Sequence, residues 1–284
     1  MKDQVKVSVI MGVYNCEKTI SKSIDSILRQ TFTDWELIIC DDCSDDLSYE
    51  ISLNYQSQYP EKIMVLRNDK NQRLSYTLNR CIEVSKGELI ARMDADDISF
   101  DNRLSVQVSY LDSNKNVGWI GSSVEMMDDN GAWGVRHPIL KPTKVEIFLN
   151  NQFIHPTIVF RKSVLNAVGG YTVSKATRRG QDYDLWCKLT SAGYIGENLS
   201  DVLLYYREDQ DSFSKRKWKY RIDNVIVRKK WYKELKIPCK YFWTIYRPLL
   251  VGIIPKKLMQ KIHRNRYGYK GESNEKNKIK VRKN

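Results

Sequence analysis

The chain has 284 residues, 42% hydrophobic and 29% charged, which excludes a disordered or fibrous protein and allows one large α/β domain with an appendage. Its formal net charge of +13 is unevenly held: residues 215–284 carry 23 Lys/Arg against 4 Asp/Glu, and residues 1–214 carry 24 against 30. The basic character therefore belongs to the last quarter, and the two parts are expected to meet different partners.

At the N-terminus, "MKDQVKVSVIMGVYNCEK" shows no clear cleavage site, and its apolar run is broken at Tyr14, Asn15 and Cys16. Cysteines at 16, 40, 43, 81, 187 and 239 lack the density of a disulfide scaffold. Both observations point to reduced thiols and a cytoplasmic setting. "VKVSVIM" (5–11) reads as a buried strand, and Ile20, Ile24, Ile27 and Leu28 then fall on one helical face. "WELIIC" (35–40) and "KIMVLRN" (62–68) read as the second and third strands. Leu74, Leu78 and Ile82 mark another helix before "GELIARM" (87–93), a fourth strand that stops at Asp94-Ala95-Asp96-Asp97. Strands alternating with helices of this length predict a Rossmann-like, mostly parallel sheet joined by right-handed crossovers.

Beyond residue 115 the pattern is mixed. "VGWIGSSVEMM" and "HPTIVFRK" read as strands, and "GQDYDLWCKLTSAGY" (180–194) reads as a helix with Leu185, Leu189 and Ala192 on one face. Acids near its start suit the helix dipole. Residues 271–284 are poor in apolar side chains and are expected to be disordered.

Ligands of an open parallel sheet bind at the carboxyl ends of its strands. Three polar clusters fall at such ends: Tyr14-Asn15, Asp41-Asp42, and Asp94 to Asp97. Capping aspartates are a sufficient account of Asp41-Asp42 taken alone. "RMDADD" asks for more, because three carboxylates in four residues repel one another unless a cation compensates. Hard oxygen ligands of this kind suit Mg2+ or Mn2+ shared with substrate phosphates. The C-x-x-C spacing of Cys40 and Cys43 is a weaker signal. Zinc would want a second Cys or His pair, and four surrounding acids disfavour a reactive thiolate.

Taken together, "VSVIMGVYNCEKTISKSIDSILRQTFTDWELIICDDCSDD", "ELIARMDADD" and "GQDYDLW" resemble the family 2 glycosyltransferases of bacterial cell-surface glycan synthesis, across roughly residues 5 to 210. The resemblance implies a GT-A fold. Residues 1–212 would be the catalytic domain, with 1–115 as its nucleotide-sugar half and 116–212 as its acceptor half. It further implies that Tyr14 stacks on the nucleobase of a nucleotide-sugar donor and that Asp42 hydrogen-bonds that base. Asp94 and Asp96 form the D-x-D element for ribose and metal, with Asp97 taking or sharing the metal contact. Asp182 matches the catalytic base, and Trp186 would shape the acceptor side or belong to the core. The implied reaction is an inverting transfer from a UDP-sugar to a hydroxyl of a saccharide or lipid-linked saccharide. The leaving diphosphate would be neutralised by a metal and the incoming hydroxyl deprotonated by one carboxylate. Gln181 stands where many relatives have Glu, and Arg73 stands near a position often held by glycine. His155 would touch a substrate or make a structural hydrogen bond.

Residues 213–270 interleave aromatics with Lys/Arg, and the charge-free run "PLLVGIIP" is far shorter than the roughly 20 residues that cross a bilayer. A basic, aromatic, amphipathic extension suits the anionic inner face of a membrane, or packs back on the catalytic domain with a solvated basic face. A sugar-nucleotide nucleotidylyltransferase would want a Gly-rich, Arg-bearing loop after the first strand, where "MGVYNCEK" stands. A nucleic-acid-binding protein would use the basic extension but leave "DADD" and "GQDYDLW" without a purpose, so no nucleic-acid partner is expected.

Overall fold

The structure, a computed structural model, describes residues 5–208 and 218–269. The expected disordered segment 271–284 lies outside them. The first half runs β1 (Val7–Val13), α1 (Ile20–Leu28), β2 (Trp35–Asp41), α2 (Ser48–Gln58), β3 (Ile63–Arg67), α3 (Leu74–Val84) and β4 (Leu89–Asp94). Next come β5 (Ile98–Ser99), α4 (Arg103–Ser113), β6 (Val117–Asp128) and β7 (Gly131–Arg136). They are followed by α5 (Lys144–Leu149), β8 (Val159–Arg161), α6 (Lys162–Ala167), α7 (Gln181–Ser191) and β9 (Ile195–Arg207). Beyond the undescribed stretch lie α8 (Trp218–Glu234), α9 (Arg247–Ile253) and α10 (Lys256–Tyr267).

All nine strands join one sheet in the order β3-β2-β1-β4-β8-β6-β9-β5, with β7 hairpinned onto β6. The β3-β2-β1-β4 block is parallel, as its alternation with helices predicts. Antiparallel β8 then joins β4 to β6 and makes the sheet mixed. Alternate residues of β1 feed two cores. Val7, Val9 and Met11 meet Ile20, Ile24 and Ile27 of α1 and Leu104 of α4 on one face. Ile10 meets Leu78 and Ile82 of α3 and Leu185, Trp186 and Leu189 of α7 on the other.

Two expectations need correction. "HPTIVFRK" is a strand only over Val159–Arg161; His155–Thr157 is a 3-10 turn, since Pro156 has no N–H for a sheet ladder. Ala192 does not share the buried face of α7: it is the exposed C-cap, followed by Gly193 at φ +86°.

The C-terminal helices pack back on the body. Val227 and Trp231 of α8, with Leu235, Ile237 and Ile245, join the core that holds α7. Trp231 Nε1 donates to Asp184 Oδ1 at 2.7 Å, and Arg178 pairs with Asp223 at 3.3 Å. α10 closes against the β6–β7 hairpin, where Arg264 reaches Asp128 at 2.7 Å and the Tyr269 hydroxyl donates to Glu125.

Candidate active site

Strand register decides which polar residues meet. Gly12 of β1 pairs with Cys40 of β2 on one side and with Asp94 of β4 on the other. The β1 crossover leads out to β2 and β3, and the chain returns to β4 on the opposite flank. The β1/β4 boundary is therefore the switch point at which open α/β sheets bind ligands. Tyr14, Asp42 and the Asp94–Asp97 group all stand at that rim.

Tyr14 is 45% exposed there, so its ring is free to cover a ligand. Asp42 is buried and heavily engaged. Its Oδ1 accepts from Asn68 Nδ2 and the Gln72 N–H, and its Oδ2 accepts from the Arg73 N–H, all at 2.7 Å. These bonds hold the loop before α3, where Arg73 has φ +72° and ψ 162°, a region used almost only by glycine. Cys43 likewise sits at φ +61° in the turn after β2, while Cys40 is fully buried with its Sγ donating to Asn68 Oδ1 at 3.8 Å.

The carboxylates of Asp94, Asp96 and Asp97 bring one oxygen each within 4.8 Å of one another. Burial and the Asp94 charge push the Asp96 carboxyl up to about 6. Asp97 is raised further, by complete burial first and by Asp96 next. One Asp97 oxygen accepts the Arg207 N–H at 2.8 Å, and the other, Oδ2, is buried with no hydrogen-bond partner among the described residues. Three oxygens crowded at a rim, with one left unsatisfied, fit a divalent cation.

Beneath them, Arg92 of β4 is 2% exposed and donates through Nη2 to Asp94. Its Nε and Nη1 are buried without a partner among the described residues. Arg103 of α4 lies behind the same strand, fully buried, and donates to the Arg92 carbonyl at 2.8 Å; burial lowers its guanidinium to about 9. His155 Nε2 meets the Tyr171 hydroxyl at 2.7 Å, and burial beside Arg92 holds its imidazole neutral. The structural hydrogen bond is thus the reading of His155 that its surroundings support. Trp186 is fully buried among Trp119, Phe153 and Phe160, so it belongs to the core and does not shape an acceptor surface.

Asp182 is the second residue of α7, after Gln181. Burial pushes its carboxyl up, while Asn151 donates to Oδ2 and Arg92 acts across space to hold it down. Asn151 is a site residue that sequence reasoning missed; its only signal is the Asn150-Asn151 pair ahead of an apolar run. Asp182 opens onto a cavity of about 550 Å3. The cavity wall combines the α5–β8 loop, the loop before α7, and side chains of α8 and α9. Arg92 is paired with Asp94 of the three-aspartate rim, and its charge is a minor influence on Asp182.

Residues 8–169 match the profile of Glycosyl transferase family 2. The chain is 38% identical to EpsE of Bacillus subtilis, over 94% of this chain and 96% of EpsE. It is 31% identical to the UDP-Glc:alpha-D-GlcNAc-diphosphoundecaprenol beta-1,3-glucosyltransferase WfgD of Escherichia coli, over 76% of this chain and 83% of that one. Among solved structures, it superposes with a TM-score of 0.60 on the mannosyltransferase PcManGT from Pyrobaculum calidifontis, in complex with GDP-Man and Mn2+. That match is 17% identical and covers 86% of this chain and 68% of the other, so it bears on the fold, which is the expected GT-A type.

Proposed function

The chain belongs to Glycosyl transferase family 2, and from that premise we propose that it builds a cell-surface glycan, moving one sugar from a UDP-sugar to a saccharide hydroxyl with inversion. The observation that carries this reading is the register that sets Tyr14, Asp42 and the three aspartates along one rim of the sheet. Family membership sets aside the nucleotidylyltransferase alternative.

In this reading Tyr14 stacks on the base. Asp42 fixes the 68–73 loop as the edge of the base pocket. A carboxylate has about four acceptor sites; three are in use, which leaves one for an imide N–H of the base. Asp94, Asp96 and Asp97 would hold Mg2+ or Mn2+, whose charge neutralises the departing diphosphate. Arg92 keeps the Asp94 carboxylate in place. Asp182 accepts the proton of the acceptor hydroxyl as its oxygen attacks the anomeric carbon, opposite the bond that breaks. Asn151 orients that carboxylate and favours its ionised form.

The extension adds a site of attachment. Trp218, Ile222 and Ile226 recur every four residues along α8 and are 54%, 55% and 54% exposed. Phe242, Trp243 and Ile253 are further exposed apolar side chains of the extension, and Lys219, Lys229, Lys230 and Lys240 are exposed on it as well. No helix of the described residues is long and apolar enough to cross a membrane. This combination supports peripheral binding to an anionic bilayer, where a lipid-linked acceptor would be met.

The test is a panel of nucleotide sugars assayed for nucleoside diphosphate release with Mn2+ and with EDTA. One donor is expected to be turned over slowly and only with the cation. A panel in which no donor is hydrolysed or raises Tm overturns the reading.

A further inference from the structure

The cavity beside Asp182 holds about 550 Å3, room for a small saccharide or a sugar phosphate. Among the described residues that line it, Asp182 is the one carboxylate, and four are arginines: Arg179, Arg221, Arg228 and Arg247. They come from the loop before α7, from α8 and from the start of α9. Arg228 donates to the Phe148 and Leu149 carbonyls at 3.1 and 3.2 Å and lies 4.9 Å from the Tyr183 ring centroid. Arg247 donates to Asn150 Oδ1 at 2.6 Å, and Arg179 lies 5.5 Å from the Tyr220 ring centroid. Each of these three partners is neutral, so it orients a cation without cancelling its charge. The neighbouring Arg178, which does not line the cavity, is instead neutralised by Asp223.

We propose that this cavity binds a phosphoester group of the acceptor, holding the acceptor's hydroxyl against Asp182. The inference rests on Asp182 being the base, since whatever fills the space beside it is then the acceptor. A guanidinium fork matches phosphate or carboxylate oxygens two at a time. One carboxylate of an acidic sugar engages one or two such forks. Guanidiniums converging from three segments suit the higher charge of a diphosphate. Val251 lines the same wall, and Leu250 and Ile253 of the same helix are 57% and 73% exposed, apolar surface on the element that borders the cavity. The diphosphate could belong to a lipid-linked saccharide or to a free sugar phosphate; the anion chemistry is common to both.

The full-length protein is titrated calorimetrically in EDTA, so that the aspartate rim holds no cation. The probes are farnesyl diphosphate, inorganic pyrophosphate and octyl glucoside. The expected result is binding of the two anions, weakened about tenfold for each guanidinium removed in Arg179→Gln and Arg247→Gln, with octyl glucoside unaffected. Both arginines are exposed, so the fold is not at stake. Farnesyl diphosphate binding more tightly than pyrophosphate identifies a lipid carrier, and equal affinities identify a soluble phosphate. Wild-type protein that binds neither anion, or variants that bind them as wild type does, overturns the proposal. Mn2+-dependent nucleotide-sugar binding by wild type, measured separately, shows whether the glycosyltransferase reading itself stands.

Discussion

The Arg73 N–H donates to Asp42 Oδ2 at 2.7 Å across 31 positions of sequence, pinning an arginine in backbone geometry that glycine would take without strain. A buried carboxylate thus holds a loop of the sheet's rim in a costly shape. Asp42→Ala strands the Gln72 and Arg73 N–H groups and is expected to lower unfolding free energy by about 3 kcal/mol. Arg73→Gly relieves the strain and should raise it by about 1 kcal/mol, less the entropy that glycine adds to the unfolded chain. Urea titration with matched slopes checks both. Cys40→Ser and Cys43→Ser should disturb nucleotide-sugar binding less than Asp42→Ala.

The three-aspartate rim predicts effects of opposite sign from one substitution. Asp96→Asn removes a charge that repels Asp94 and Asp97, so the metal-free protein should melt at an equal or higher temperature. Its response to Mn2+ should be lost. Wild type at about a hundredfold excess of Mn2+ over Kd should gain about 2.7 kcal/mol, roughly 5 °C or more in Tm. A full Mn2+ shift in Asp96→Asn would show that this carboxylate is not a ligand.

Asp182 must be ionised to accept a proton, and burial raises its pKa from the ordinary 3.8. The acid limb of kcat/KM should therefore lie above that value, with activity falling as pH drops through it. Asn151→Ala removes a donor to the ionised form and should move the limb further up, leaving the alkaline side in place. Asp182→Asn should lower kcat at least a thousandfold, on the order of a lost general base, with nucleotide-sugar affinity retained. The linkage sign is also testable. A carboxyl whose folded pKa is raised favours folding below its unfolded pKa and loses that contribution as pH rises through the folded one. Asp182→Asn should therefore be no less stable than wild type at neutral pH.

Trp231 of α8 is buried and donates to Asp184, whose other oxygen, Oδ2, already lacks a partner among the described residues. Trp231→Phe should cost about 2 kcal/mol by leaving the carboxylate wholly unpaired. A chain cut at 212 should expose core and aggregate, so attachment to bilayers is better tested by substitution. Trp218→Ser, Ile222→Ser and Trp243→Ser touch exposed positions and should reduce flotation with anionic liposomes together, without shifting Tm. Unchanged flotation would count against the bilayer face.

Strand ends were readable because β-branched runs stop at acids, and the 7–94 block obeys the same alternation that its sequence displays. The antiparallel insertion of β8 was not readable: its three residues are too few for periodicity, and Pro156 turns the preceding letters into a 3-10 turn. Of the two readings of Trp186, acceptor side by the resemblance or core face of its helix, the second holds, because Trp119, Phe153 and Phe160 pack around it. Asn151 was hidden because a loop side chain has no period. Arg92 was visible inside "ARMD", but two-residue spacing on a strand says only that it shares a face with Asp94. That its guanidinium is buried beneath the rim depends on long-range packing.

The profile by which the family is recognised ends at residue 169, ahead of Asp182 and ahead of every arginine that lines the cavity. Similarity over that segment therefore covers the aspartate rim but neither Asp182 nor these arginines. If the cavity beside Asp182 takes the acceptor, as proposed, then the choice of acceptor rests largely on the last hundred or so residues, where α8 and α9 supply half the wall. Grafting the C-terminal segment of one relative onto another's body is then expected to exchange the acceptor while leaving the nucleotide-sugar donor unchanged.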